Sequence, residues 1–114
     1  MRDVNAYMAE TLAAMELPMS EEPMRAQCAG SYLTWRVTED ERLFASGRAL
    51  YRRVRLELSL WAHPEQDADA LTQQTLTLLR EVGCLARFQG MRWQAEVNRM
   101  QVHLGCALPL EVLP

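Results

Sequence analysis

Cysteine and histidine are scarce in this 114-residue chain, which has three of the first and two of the second. Cys28, Cys84 and Cys106 are odd in number, show no Cys-x-x-Cys spacing, and two of them lie in apolar segments. Reduced, mostly buried thiols are therefore expected in place of a disulfide framework or a metal site. His63 and His103 have no histidine, cysteine or carboxylate at ligand spacing, which excludes a sequence-encoded metal motif. No glycine-rich loop joins a strand to a helix, so phosphate-cradling and dinucleotide motifs are missing, and no cofactor is expected. No apolar run approaches the ~20 residues of a membrane span. Asp3, Asn5 and Glu10 interrupt the apolar residues of the N-terminus, which lacks a signal-peptide core; a cytoplasmic protein with no membrane contact is expected. A net charge of −3 is not the basic excess of a dedicated nucleic-acid binder.

What the chain does have is a long amphipathic strand. Across residues 50–63, Leu50, Val54, Leu56, Leu58, Leu60 and Ala62 fall on one side of the pleat. Tyr51, Arg53, Arg55, Glu57, Ser59 and Trp61 fall on the other, with Arg52 toward the end of the apolar side. Such a strand requires antiparallel partners and leaves one face in contact with water.

With 49% hydrophobic and 24% charged residues, the composition is that of a globular chain forming one domain over residues 1–114. Val4, Met8, Leu12 and Met15 recur at helical spacing within residues 1–17, and Pro18 ends that helix. Residues 18–30 read as an irregular connection. Alternation returns over residues 32–37, a first strand rich in aromatic and β-branched residues. The polar run 38–42 and residues 45–48 read as a long connection, giving an extended hairpin with Leu43 and Phe44 near its tip.

Pro64 and the acids Glu65, Asp67 and Asp69 mark the start of a second helix running to about Val82. Its stripe is Leu71, Thr75, Leu78, Leu79 and Val82, and Gly83 stops it. Residues 84–88 then read as a short extended piece, Gln89-Gly90 as a turn, and residues 92–108 as a last strand region, followed by an apolar tail over residues 110–113. The predicted architecture is α+β: an antiparallel sheet of about four strands with two helices on one face, in the order α-β-β-α-β-β.

Catalytic constellations are not legible. The carboxylates Glu21-Glu22 and Glu39-Asp40-Glu41 fall in predicted loops with no apolar surroundings to raise a pKa, and they read as solvated. No serine occupies a nucleophile elbow, so the expectation is a protein that is not an enzyme. The densest positive charge is Arg52, Arg53 and Arg55. Alternation puts Arg53 and Arg55 on the outer face, either as a solubilising surface partnered by Glu57 or as a contact for an acidic partner or passing DNA. Trp61 and Trp93 are each either edge packing within the fold or an anchor in a subunit interface.

Taken in order, the short helix, the Tyr32-x-x-Trp35 strand, the hairpin returning through Tyr51-Arg52-Arg53-Val54-Arg55, the strand ending Leu60-Trp61-Ala62-His63, the helix closed by Gly83 and the final strand pair resemble the tail-terminator or tail-completion proteins that join head to tail in long-tailed bacteriophages and prophages. The resemblance implies a non-enzymatic virion protein of the tail-neck region, made in the host bacterial cytoplasm. It would form a homo-oligomer, a hexameric ring, that caps the tail tube protein, meets a head-completion protein and passes DNA as cargo. Leu43, Phe44, Tyr51, Arg53, Arg55 and Trp61 are the expected interface residues. A second reading is a small binding module or regulator whose open sheet face takes a peptide or single-stranded nucleic acid through Trp61, Tyr51 and the arginines.

Overall fold

The computed structural model describes residues 3–24 and 28–112. Residues 1–2 of the expected first helix, residues 25–27 of the expected connection, Leu113 of the expected apolar tail and Pro114 lie outside it.

Helix α1 (Val4–Thr11) is capped by the Asp3 carboxylate, which accepts from the Asn5 amide at 3.0 Å. A 3-10 turn over Ala13–Met15 continues it, and Glu16 then leaves the helix in the left-handed region. Met8, Leu12 and Met15, the spaced residues of the sequence, are its buried face.

Strand β1 (Met19–Glu21) lies within the segment expected to be irregular, and it pairs in parallel with the start of β2 (Tyr32–Ala45), Met19 against Leu33. Strand β2 is longer than expected. The polar run Thr38 to Arg42 is strand, because its charged residues face cross-strand partners on β3 (Arg48–Ala62), and the reversal shrinks to Ser46-Gly47. Both turn residues have positive φ, 51° and 75°, the two-residue turn whose twist matches that of the flanking strands.

Helix α2 (Ala68–Glu81) begins at Asp67, whose carboxylate accepts from the Asp69 and Ala70 amides. Its buried residues are Thr72, Thr75, Leu76 and Leu79, a stripe rotated from the expected one, with Val82 exposed. The buried hydroxyls are satisfied within the helix: Thr72 donates to the Ala68 carbonyl and Thr75 to the Leu71 carbonyl. Gly83 (φ 89°) ends α2, with Gly83 N–H donating to Arg80 O and Cys84 N–H to Leu79 O.

Strand β4 (Leu85–Gln94) runs through the expected Gln89-Gly90 turn; those residues instead form a bulge, and the real reversal is residues 95–98. Strands β5 (Arg99–Ala107) and β6 (Glu111–Val112) follow. The fold class is α+β as expected, but the described residues form a sheet of six strands where about four were predicted. Its order is β1-β2-β3-β5-β4, with β6 beside β3 and β1–β2 as its parallel pair.

Both helices cover one face of the sheet. Leu33 and Trp35 of β2, Leu56, Leu58 and Leu60 of β3, and Val102 and Leu104 of β5 form the floor on which Met8, Leu12, Leu76 and Leu79 rest. Burying each such side chain fully contributes about 1.5–3 kcal/mol. Trp35 also needs a polar partner, and its Nε1 donates to Asn5 Oδ1 at 2.8 Å. The molecule measures 53 × 26 × 23 Å, and the β2–β3 hairpin extends its long axis beyond the part of the sheet that β5 pairs.

Candidate interaction surface

The hairpin holds most of the predicted site residues, and its register decides what they can do. On the outer face Glu39 stands opposite Arg55 and Glu41 opposite Arg53. Arg53 Nη2 reaches Glu39 at 3.0 Å and also bonds Glu41, while Arg55 Nε lies 3.4 Å from Glu39. The acids expected to be solvated loop residues are thus the cross-strand partners of the arginine row, and the two carboxylates raise the Arg53 pKa. Glu57, expected to partner that row, instead pairs with Arg36 at 2.6 Å. Opposite charges facing one another across a ladder hold its register.

Leu43 and Tyr51 are direct cross-strand neighbours near the tip, and Phe44 beside them is 68% exposed. Trp61 lies at the other end of the same face. Its ring stacks on Tyr32 with centroids 5.7 Å apart, and its Nε1 donates to Thr34 Oγ1 at 3.0 Å. Burial pushes the Tyr32 hydroxyl pKa up, against the pull of Arg99. The structure therefore separates the six predicted residues: a charged centre at Arg53 and Arg55, an apolar tip at Leu43, Phe44 and Tyr51, and Trp61 engaged within the fold.

The opposite side of the hairpin carries a residue that sequence reasoning placed on the apolar side without giving it a function. Arg52, 7% exposed, donates two hydrogen bonds to Asp40 and lies 3.6 Å from Glu111 of β6. The Arg52 hydrogen bond holds the Asp40 carboxyl below its ordinary value. The signal in the sequence was its position, an arginine in phase with Val54 and Leu56. A cavity of about 430 Å³ opens beside it, lined by Val4, Tyr7, Val54, Leu108 and Pro109.

Cys28, Cys84 and Cys106 form no disulfide, and the last two are buried together. A hydrogen bond from Cys106 lowers Cys84 to about 7, aided by the Tyr7 hydroxyl at 3.8 Å; the same hydrogen bond, together with burial, pushes Cys106 up. His103 stands in a row with Thr34, Ser59 and Gly90, which holds no carboxylate. Among the described residues no group of three or more histidines, cysteines or acids could hold a metal, and no helix is long and apolar enough to cross a membrane.

The far edge of the sheet is a further surface, of which the sequence singles out only Trp93. The bulge at Gln89-Gly90 changes the phase of β4, so that Phe88 and Met91, three residues apart, both face the helix side, opposite Leu104 and Val102. Phe88, Met91 and Trp93 are nevertheless exposed, as is Leu85 at 78%. On the outer face the same strand presents Arg87 and Arg92. Gln89 folds its side chain over Gly105, where a Cβ would meet it at 2.5 Å.

No protein-family model matches this chain, and no curated protein matches it.

Proposed function

We propose that the protein is a structural assembly subunit of a long-tailed bacteriophage or prophage, a tail-terminator-like component that works as a ring of identical copies. The ring closes the tail tube and joins it to head-completion proteins. The observation that carries this reading is a sheet clothed by helices on one face and drawn out into a projecting two-stranded arm, with an apolar tip at Phe44 and an apolar far edge at Leu85, Phe88, Met91 and Trp93. A lone soluble domain gains nothing from such surfaces; repeated copies bury them against one another. The segment order of the chain and its resemblance to tail-completion proteins support the same reading. The outer face suits a ring that passes DNA without gripping it, because Arg53 and Arg55 already meet Glu39 and Glu41. That neutralisation also weakens the alternative of a binding module for single-stranded nucleic acid, which needs the arginines free.

Light scattering over a concentration series, with electron microscopy of the largest species, tests the proposal. Closed rings, or rings formed on addition of tail tube subunits, are expected. A monomer at every concentration, with and without tube subunits, overturns it.

A further inference from the structure

The sheet ends in two open strand edges of opposite character. Among the described residues strand β4 is unpaired on its outer side, and it carries Arg87 and Arg92 with no carboxylate. Both arginines are exposed, and neither forms an ion pair among the described residues. At the other end, β1 covers β2 only along Leu33, Thr34 and Trp35, so that residues 38–45 of β2 also have an unpaired outer side. This free half carries Glu39, Asp40, Glu41 and Arg42; the three acids already meet Arg52, Arg53 and Arg55 of β3, so an added strand's arginines would share these carboxylates. Unpaired edges present rows of backbone N–H and C=O groups ready to accept another strand.

We infer that β4 of one copy adds to the free half of β2 of the next copy, antiparallel, with Arg92 opposite Glu39 and Arg87 beside Glu41. The inference rests on the ring-forming reading above and names the contact that would build the ring. Strand directions agree, because β4 and β2 already run antiparallel within one sheet. Side-chain parity agrees as well. Glu39 shares a row with Arg55, Ala107 and Leu85, and Arg87 shares one with Gly105, Glu57 and Arg36, so all four charged residues of the contact project from the outer face.

In the unshifted register Leu85 would meet Glu39, and the rest of β4 would collide with β1. A displacement of about six residues, ~20 Å along the strand, clears β1, sets Leu85 level with Ala45 and brings the arginines to the acids. The edge groups of the contact are different surfaces, so it repeats head to tail, and inclined strands let such a repeat close. The exposed side chains of β4 on the helix side, Phe88, Met91 and Trp93, would then gain cover from the next copy's arm.

The chain contains no lysine, so a lysine introduced into it is the sole side-chain amine. The Arg87→Lys/Arg92→Lys variant keeps the charge, and a zero-length carbodiimide couples an amine only to a carboxylate in contact with it. Mixed 14N- and 15N-labelled protein identifies links between copies. The expected result is intermolecular peptides joining position 92 to Glu39 and position 87 to Glu41. In parallel, Arg87→Glu/Arg92→Glu is expected to weaken self-association by about tenfold or more, with an unchanged far-UV spectrum. If the parent protein assembles but the reversal has no effect and the links fall elsewhere, this contact is wrong and the ring-forming reading survives. If the parent protein is monomeric throughout, both fall together.

Discussion

Arg52 grips Asp40 with two parallel hydrogen bonds, Nε to Oδ1 at 2.9 Å and Nη2 to Oδ2 at 2.7 Å, across the diagonal of the β2–β3 ladder. The fork is planar and directional, so it fixes the relative position of the two strands beside the cavity that Val4 and Tyr7 of α1 border.

Replacing Asp40 with Asn leaves a buried guanidinium with Glu111 as its remaining acidic partner among the ion pairs described. The expected loss at neutral pH is about 1–3 kcal/mol, since Asp40 itself is partly exposed. Because the folded-state pKa of Asp40 is depressed, the stabilisation is present above its ordinary value of 3.8 and disappears as pH falls through the lower folded value. Urea titrations of both proteins from pH 7 downward check this: the gap between them should narrow as pH falls below 3.8.

In the core, Leu58 is 1% exposed and lies beside Leu104. Leu58→Ala is expected to destabilise by about 2–5 kcal/mol, measured as a shift in urea midpoint with an unchanged slope.

The Trp61 ring does two separable things. Trp61→Phe retains the stack on Tyr32 but strands the buried Thr34 hydroxyl, an expected loss of about 1 kcal/mol. Trp61→Ala removes both and is expected to cost about 2–3 kcal/mol. Near-UV circular dichroism should lose the Tyr32 coupling in the second variant and keep much of it in the first.

Thiol labelling separates acidity from access. Cys84 is lowered to about 7 by the Cys106 hydrogen bond, yet both sulfurs are buried, whereas Cys28 is half-exposed. Iodoacetamide at pH 8 should modify Cys28 first in the folded protein, with Cys84 and Cys106 reacting after denaturant is added. Mass spectrometry of the digested protein gives the order. Rapid native labelling of Cys84 would mean that this part of the core opens readily.

Much of the architecture was legible wherever one face of an element meets the core and the other meets water. The alternation of residues 50–63, the spacing of Met8, Leu12 and Met15, and Gly83 as a helix stop are local signals, and each marks its element. Strand β2 was cut short in the sequence because Glu39, Asp40 and Glu41 are polar on both faces of the pleat; their reason for being in a strand is a set of arginines on a different strand, which no local window contains. Strand β4 was divided because the bulge at Gln89-Gly90 breaks the period of two. Strand β1 spans three residues and takes its order from Leu33, Thr34 and Trp35. Of the candidate surface, the apolar tip and the arginine row could be read from the chain, whereas the acids that meet those arginines and the exposed β4 edge came from the register.

Two strands without a covering layer are marginal on their own. Here the outer reach of the β2–β3 hairpin owes its firmness to guanidinium and carboxylate groups, while its base owes its firmness to leucines. Dissolved ions screen the first kind of attraction and leave the second nearly untouched. The molecule therefore has a stiff root and a limb whose suppleness the surrounding electrolyte sets.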